Sequence, residues 1–575
     1  SGAAGGFIGY GTAVQVSYSD VSKLAHTAVA APDDLEAKDA LSYFDSTKST
    51  YAVTAPQYAG GYFGYLDIGS TAGVASGLEL LKNSPVADGL TRGISVSDLT
   101  SALNVMASTV EHSNVYGHAG GFSVLANGKD SFGAVGHAGG FAGKISGGQI
   151  QDCNVDNFAY IIGQIAAGGY AGELVPGSVA DVLGEATMGA NGQEEHGILD
   201  GLADVSDLAS VAQAFVPTIR NSETTCVPCG GAVRAQAFSK EEGTVGSDGS
   251  PIIVQRGMAG GYVGHNVGGQ IWGNNNAAWK NESADGSETG TYTGPQREAA
   301  AIRIRSVYGA EYAGGFTGLM EPGSTAETGG LSLLWGLIDV NNLLKVMQDI
   351  YPTEENTAVY GPLRELTVDE WNAWVDAVGE NNVYGELLGE KNEAAASKLA
   401  GHVSSEEEIA AWLAKIGYGT NVVAGRDTYE AGAYTGSAGV AGGYEGSMVA
   451  GTITNGQAHD TKLGRAMRAA GGFVGAAQTG GAAELGSADI LDISLDLDKL
   501  LPSLVSVFVP VIKCSSVTGY RQGMTVESFG SAPADDEGQH ETDTKNGTGF
   551  AGGYIGFGSG AQIWGDADTA RDGNA

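Results

Sequence analysis

GGFAGKISGGQI at 139–150, GGYVGHNVGGQI at 260–271, GGYEGSMVAGTI at 442–453 and GGYIGFGSGAQI at 552–563 are four copies of one string. A sister form reads AGGYFGYLDIGS (59–70), AGGYAGELVPGS (167–178), AGGFTGLMEPGS (313–324) and AGGFVGAAQTGG (470–481). We call the sister form opening and the first form closing. Across the chain a small residue, Gly-Gly and then Phe or Tyr recur ten times, usually followed by any residue and Gly. The first paired glycine stands at Gly5, Gly60, Gly120, Gly139, Gly168, Gly260, Gly314, Gly442, Gly471 and Gly552. Such self-similarity marks a stacked array, in which each repeat buries its apolar face only against its neighbours.

Pairing each opening motif with the next closing one divides the chain into a partial unit at 1–57 and repeat units at 58–165, 166–310, 311–468 and 469–575, all in one continuous array. Whole-unit duplication supports the division: LASVAQAFVPTIR (208–220) parallels LPSLVSVFVPVIK (501–513), and each is followed by a Gly-rich acidic stretch and then QIWG. The first and last motifs are both of the closing type, and the chain opens on Ser1-Gly2-Ala3 without Met. It therefore reads as a piece of a longer repetitive protein.

Short apolar runs ending in glycine, such as GGQIQDCNV (147–155), IRIRSVYG (302–309) and VEHSNVYG (110–117), suit one strand per rung. Paired glycines allow positive φ or close approach of a neighbouring backbone. The aromatic residue after them would point inward and lie over its equivalent, giving a ladder of Phe7, Tyr62, Phe122, Phe141, Tyr170, Tyr262, Phe316, Tyr444, Phe473 and Tyr554. Independent β-sandwiches would instead show turn signals every 8–12 residues or so and no fixed ladder. The expected fold is mainly β, a parallel β-helix or solenoid of Gly-Gly-aromatic rungs with α-helical insertions between them.

Helical signals interrupt the ladder. Thr367-Val368-Asp369-Glu370 is a capping box followed by Trp371, Trp374, Val375 and Val378 on one face. Ser405 with Glu408 opens a second helix with Ile409, Trp412, Leu413 and Ile416, stopped at Gly417. Ser95 with Asp98 opens a third with Leu99, Leu103, Met106 and Val110. The largest insert, about 331–417, falls in the third full unit.

Composition limits function. The 93 glycines come with only 14 prolines in 575 residues, and hydrophobic residues make up 42%. That combination falls short of the roughly 25–30% Gly plus Pro of low-complexity chains, so the glycine is structural. Against 66 acidic residues stand 29 basic ones, a net charge of −37. This excludes nucleic acid as a partner and disfavours anionic membrane surfaces. No run approaches the roughly 20 apolar residues of a membrane span. The most apolar stretch, 500–512, is broken by Pro502 and Pro510.

Four cysteines exclude a disulfide-dense scaffold. Cys226 and Cys229 have the spacing of a local structural disulfide, of reduced buried thiols, or of half a metal or redox site, with Cys153 and Cys514 isolated elsewhere. His118 and His137 each precede AGGF and would sit one rung apart, either lining turns or sharing a metal. Asp535-Asp536-Glu537, Glu282 with Asp285 and Glu288, and Asp489, Asp492, Asp496 and Asp498 are either solvated surface or Ca²⁺ ligands. Trp335, Trp371, Trp374 and Trp412 form a sugar-stacking platform or, more simply, the core of an insert. No Ser-His-Asp, HExxH or P-loop string appears, so no catalytic residue is assigned, and no cofactor beyond an open question of Ca²⁺.

The closing motif resembles the GLUG repeat of bacterial surface proteins, on the stretches GGFAGKISGGQIQDCNV (139–155) and GGYVGHNVGGQIWGNN (260–275), with Phe or Tyr here in place of Leu. The resemblance covers the ladder segments and leaves the helical inserts outside. It implies a β-solenoid in a large secreted or wall-attached adhesin-like protein, and it brings no catalytic residues. The expected function is thus a non-enzymatic structural or adhesive repeat segment at the cell surface. Neighbouring repeats of the parent chain, and a host or bacterial surface protein or glycan, are its expected partners. A filament or surface-layer subunit and a polysaccharide-active β-helix enzyme are the alternatives.

Overall fold

The computed structural model describes residues 2–24, 52–68, 108–130, 133–177, 216–227, 231–235, 257–273, 300–323, 351–362, 367–378, 402–409, 411, 419–425, 429–430, 433–434, 439–479, 509–520, 523–528 and 549–565. Nine of the ten motifs open on a three-residue strand, and these strands lie side by side in one parallel sheet, sheet A. Its members run from Ala3–Gly5 through Tyr58–Gly60, His137–Gly139, Ala166–Gly168 and onward to Phe550–Gly552. The paired glycines stay in register throughout: Gly5 faces Gly60, Gly139 faces Gly168, and Gly471 faces Gly552.

After each aromatic residue the chain turns into a second nine-stranded parallel sheet (sheet B, for example Ala142–Ser146), then a third (sheet C, for example Gln149–Gln151). A 14-stranded sheet D follows, with two strands in each of the first eight tiers except where they fuse into one, as in Val155–Gly163 and Gln457–Ala466. The described residues are therefore mainly β and nine tiers deep, with neighbouring tiers paired in parallel. Each motif, opening or closing, founds its own tier, so the stretch 58–165 holds two. Only 29 residues separate Gly139 from Gly168, enough for one insert-free tier.

The motif glycines serve close packing. A Cβ on Gly139 would lie 1.9 Å from the Ala142 carbonyl oxygen of its own tier, and one on Gly140 would lie 2.0 Å from the Gly169 oxygen of the next. A Cβ on Gly143 would meet the Ala59 nitrogen and the Gly64 oxygen of the preceding tier at 2.7 Å. Sheets A and B thus meet at a corner too tight for a side chain at any of the three positions. Positive φ, the other role expected of these glycines, occurs at none of them; it falls instead in turns, as at Gly148 between sheets B and C.

The copy at Gly120 is not part of this stack, which corrects the expectation for Phe122. Gly121 takes φ +88°, and Phe122 begins the strand Phe122–Ala126 in sheet D, paired with Phe158. Its string, GGFSV, lacks the glycine two residues after the ring. Without that glycine the A–B corner cannot form.

The other nine rings form one unbroken series. Neighbouring centroids from Phe7 to Tyr554 lie 4.7–5.2 Å apart, and from Tyr62 onward the planes are within 16° of parallel. Such contacts contribute about 0.5–1.5 kcal/mol each beyond area burial. Seven of the rings, from Tyr62 to Phe473, belong to one apolar cluster running from Val21 to Ile512, and Tyr554 packs against it. Tyrosine hydroxyls reach its edge: Tyr62 donates to the Ser19 carbonyl at 2.8 Å and Tyr262 to that of Ser222 at 2.8 Å.

The turn between sheets C and D carries side-chain ladders of its own. The backbone and side-chain amides of Asn154 both donate to Asn114 Oδ1, and Asn154 Oδ1 accepts from the Glu223 nitrogen. Beside it, Ser113 N donates to Cys153 Sγ, and Cys153 N donates to Ser222 Oγ. Cys153 therefore occupies a serine position in the ladder, and burial pushes its thiol up to about 12.

The capping box forms as its residues dictate. Thr367 N donates to Glu370 Oε2 at 3.0 Å and Glu370 N to Thr367 Oγ1 at 3.2 Å, opening the helix Val368–Val378. Trp371 and Trp374 are buried with rings 5.3 Å apart, so they are the core of this insert. Residues 406–409 are helical behind Ser405, as expected. Val110, placed at the end of a third helix, lies instead in the sheet C strand Thr109–Glu111; Ser95 to Met106 lie outside the described residues.

Candidate functional site

Immediately after the third motif glycine comes a sheet B position facing outward into the corner with sheet A. Read along the stack it is Tyr10, Tyr65, Lys144, Glu173, His265 and Leu319, each paired in register with the next. From sheet A, Tyr58 and His137 face the same corner: the Tyr58 ring lies 4.9 Å from Tyr65 and 5.4 Å from His137. The result is the densest charged constellation among the described residues.

Glu173 is its hub. One carboxylate oxygen lies 2.9 Å from Lys144 Nζ and 3.4 Å from His137 Nδ1, and the other lies 3.2 Å from His265 Nδ1. His265 Nε2 reaches Glu321 Oε1 at 2.7 Å. Burial opposes charge on Glu173, but Lys144 and the two histidines outweigh it and hold the carboxyl well below its usual range. Burial likewise opposes charge on Lys144, yet Glu173 raises its pKa. His265, between two carboxylates, is raised to about 9 despite burial. His137 is lowered to about 4 because burial outweighs the pull of Glu173.

At neutral pH the corner thus holds an ammonium, two carboxylates, an imidazolium and a neutral imidazole. Opposite charges alternate along the stacking direction, the favourable arrangement for neighbours on one sheet face. Chemically this is a fastener: each acid and base is engaged by another, and Glu173, the best-placed carboxylate, is held by three cations or imidazoles. Sequence reading missed it because its members come from four different motifs. The legible signal was the residue after the third glycine, read down the stack.

The other expected sites fare differently. Cys226 is buried on the sheet D strand Thr224–Cys226, while Cys229 lies outside the described residues. Cys514 is exposed. His118 and His137 do not meet: His118 is exposed in the turn before Phe122, where its carbonyl accepts from Gly121 N, whereas His137 is buried in sheet A. The false motif at Gly120 made them seem equivalent. The acidic clusters at 282–288, 489–498 and 535–537, with Trp335 and Trp412, lie outside the described residues. Among the described residues no three His, Cys, Asp or Glu side chains converge as metal ligands, and no helix is long and apolar enough to cross a membrane. Comparison with family models, with curated proteins and with solved structures finds no match to this chain.

Proposed function

We propose that the chain is a non-enzymatic structural segment of a large bacterial cell-surface protein, folded as a parallel β-helical solenoid whose inserts face partners. The observation that carries this reading is the unbroken series of nine rings at 4.7–5.2 Å, which persists whatever length of chain separates them. A core built this way resists bending and compression, because each tier is held by backbone bonds on three or more sheets. The motif's likeness to GLUG repeats supports the surface location, and the net charge of −37 suits a soluble, self-repelling extracellular polymer. The fastened corner at Glu173 supports a structural role over catalysis, since hydrolysis would require an acid or base free to meet substrate.

The test pairs location with turnover. Antibody raised against the folded chain should label the exterior of intact cells, and the purified chain should release no sugar from a panel of polysaccharides. Turnover that falls in Glu173→Gln would overturn the reading in favour of a polysaccharide-active enzyme. A filament subunit is the second reading. It is favoured by the single register repeated from tier to tier, which a second copy would continue as well as a further repeat. Sedimentation over a concentration series separates the two, because a filament subunit grows with concentration.

A further inference from the structure

Two rows of inward-facing side chains change character at the same height. In sheet C the central residue is Ile150, Ile219, Ile271, then Glu354, then Ile453 and Ile512. In sheet B the first core residue is Ala171, Val263, then Thr317 and Glu445, then Val474. Glu354 and Glu445 are both fully buried. Glu354 Oε1 accepts from Thr317 Oγ1 at 2.6 Å and Asn266 Nδ2 at 3.5 Å, and its Oε2 accepts from the ladder hydroxyl of Tyr444 at 2.8 Å. That hydroxyl also touches Thr357 Oγ1. Glu445 pairs in register with Thr317, directly over the hydroxyl that serves Glu354.

Both oxygens of Glu445 are buried without a hydrogen-bond partner, as is the hydroxyl of Thr461, whose side chain lies against Gly443 two residues before it. No Lys, Arg or His among the described residues acts on either carboxyl. Losing its proton would leave Glu445 as an unpaired buried charge; keeping it would leave an O–H without an acceptor. Each state carries a desolvation cost that the apolar residues of the tiers on either side avoid.

We infer that the core between Glu354 and Glu445 binds one divalent, oxygen-seeking cation of the Ca²⁺ class. A cation engages both Glu445 oxygens at once and balances the like charges. The donors are carboxylates and hydroxyls, the hard set suited to Ca²⁺, Mg²⁺ or Mn²⁺ and unsuited to thiophilic metals. Because the position is sealed from solvent, the ion enters as the tiers close, and its binding is coupled to folding. This site owes nothing to the surface acids that suggested Ca²⁺ from the sequence, and it does not depend on the proposed function.

The full chain is unfolded and refolded with either Ca²⁺, Mg²⁺ or Mn²⁺ alone or with excess EDTA, and is then examined by elemental analysis and thermal melting. The expected result is one retained ion per chain and a higher Tm with the preferred ion than with EDTA. Glu445→Val restores the row of Val263 and Val474, and Glu354→Ile with Glu445→Val restores both rows. These variants should fold, retain no ion and melt identically in metal and EDTA. Wild-type protein that retains no ion and melts identically in metal and EDTA overturns the inference, as does ion retention undiminished in Glu445→Val. So does a wild-type Tm that, regardless of metal, falls more steeply between pH 5 and 8 than that of the Glu354→Ile with Glu445→Val variant, since that describes an empty, protonated pair.

Discussion

Replacing Gly140 by alanine tests the tier geometry most directly. The new Cβ would lie 2.0 Å from the Gly169 oxygen, a backbone atom with no side-chain freedom to escape. Restoring an ordinary contact requires tiers three and four to part by about 1.2 Å at that corner. The Gly140 N to Gly168 O bond, already 3.3 Å, would then be lost, and the Gly61 N to Gly140 O bond at 3.1 Å would be strained. Overpacking costs about 1–3 kcal/mol, and each backbone hydrogen bond about 1 kcal/mol. Alanine recovers about 0.5–1 kcal/mol by restricting the unfolded chain. The net expectation is a loss of about 2–4 kcal/mol.

Gly553 holds the same motif position in the ninth tier, where a Cβ meets nothing within 4 Å. Gly553→Ala should therefore lie within about 0.5 kcal/mol of wild type. Urea melts give the totals, and hydrogen exchange shows whether the Gly140 defect concentrates in tiers two to four, as nearest-neighbour coupling requires. Equal stability of the two variants would refute the packing argument for the second glycine.

Three further expectations follow from the same contacts. Phe316, fully buried between Tyr262 at 4.7 Å and Tyr444 at 5.2 Å, should cost about 3–5 kcal/mol as Phe316→Ala, measured by denaturant melts. His265 has a folded pKa raised to about 9, so its stabilisation, about 3 kcal/mol, is complete below pH 6.5 and lost as pH rises to about 9. Melts between pH 6 and 9 should show that decline in wild type and lack it in His265→Ala. Thr367→Ala removes a helix cap and should cost about 1 kcal/mol, seen as faster exchange in 368–378 while the sheet cores stay protected.

The ladder was legible because its signal is local and repeated: nine of the ten rings lie where the string places them. Phe122 misled because Gly-Gly-Phe alone is shared by two different settings. Only the glycine two residues on distinguishes a corner, where sheet A's backbone lies against it, from the sheet D strand that Phe122 begins. Val110 misled because Leu99, Leu103 and Met106 continue a helical period into a strand, and a sliding pattern does not mark its own end. The corner cluster and the core acids were missed for another reason. Glu173, His265 and Glu321 are distant in sequence, and so are Glu354 and Glu445; their adjacency exists only once the tiers are in register. Aligning the motifs puts Lys144, Glu173 and His265 in one column, but Glu354 lies beyond the aligned string, and nothing in the sequence places it beside Glu445.

The two fused strands show how inserts of such different length coexist with one register. Val155–Gly163 and Gln457–Ala466 run through both sheet D positions without interruption, whereas the tier between Thr357–Tyr360 and Thr420–Ala424 leaves the same path and returns. Pairing fixes the equivalence: Val359 faces Ala458 and Thr420 faces Thr461, and the Tyr360 ring stacks on His459 at 4.8 Å. Asp460 alone then corresponds to everything between Tyr360 and Thr420, and it takes φ +57°, as Asn157 takes +63° in the other fused strand. Deleting 361–419 and joining Tyr360 to Thr420 through one glycine, which adopts that φ without strain, should therefore leave the ladder intact. Loop-closure entropy changes only slowly with length, so the shorter connection should be neutral to stabilising for the tiers. The variant should keep the wild-type denaturation midpoint of the sheet core and the exchange protection of Phe316 and Tyr444. Collapse of that protection would mean that the helical insert, and not the motif alone, holds tiers six and seven in register.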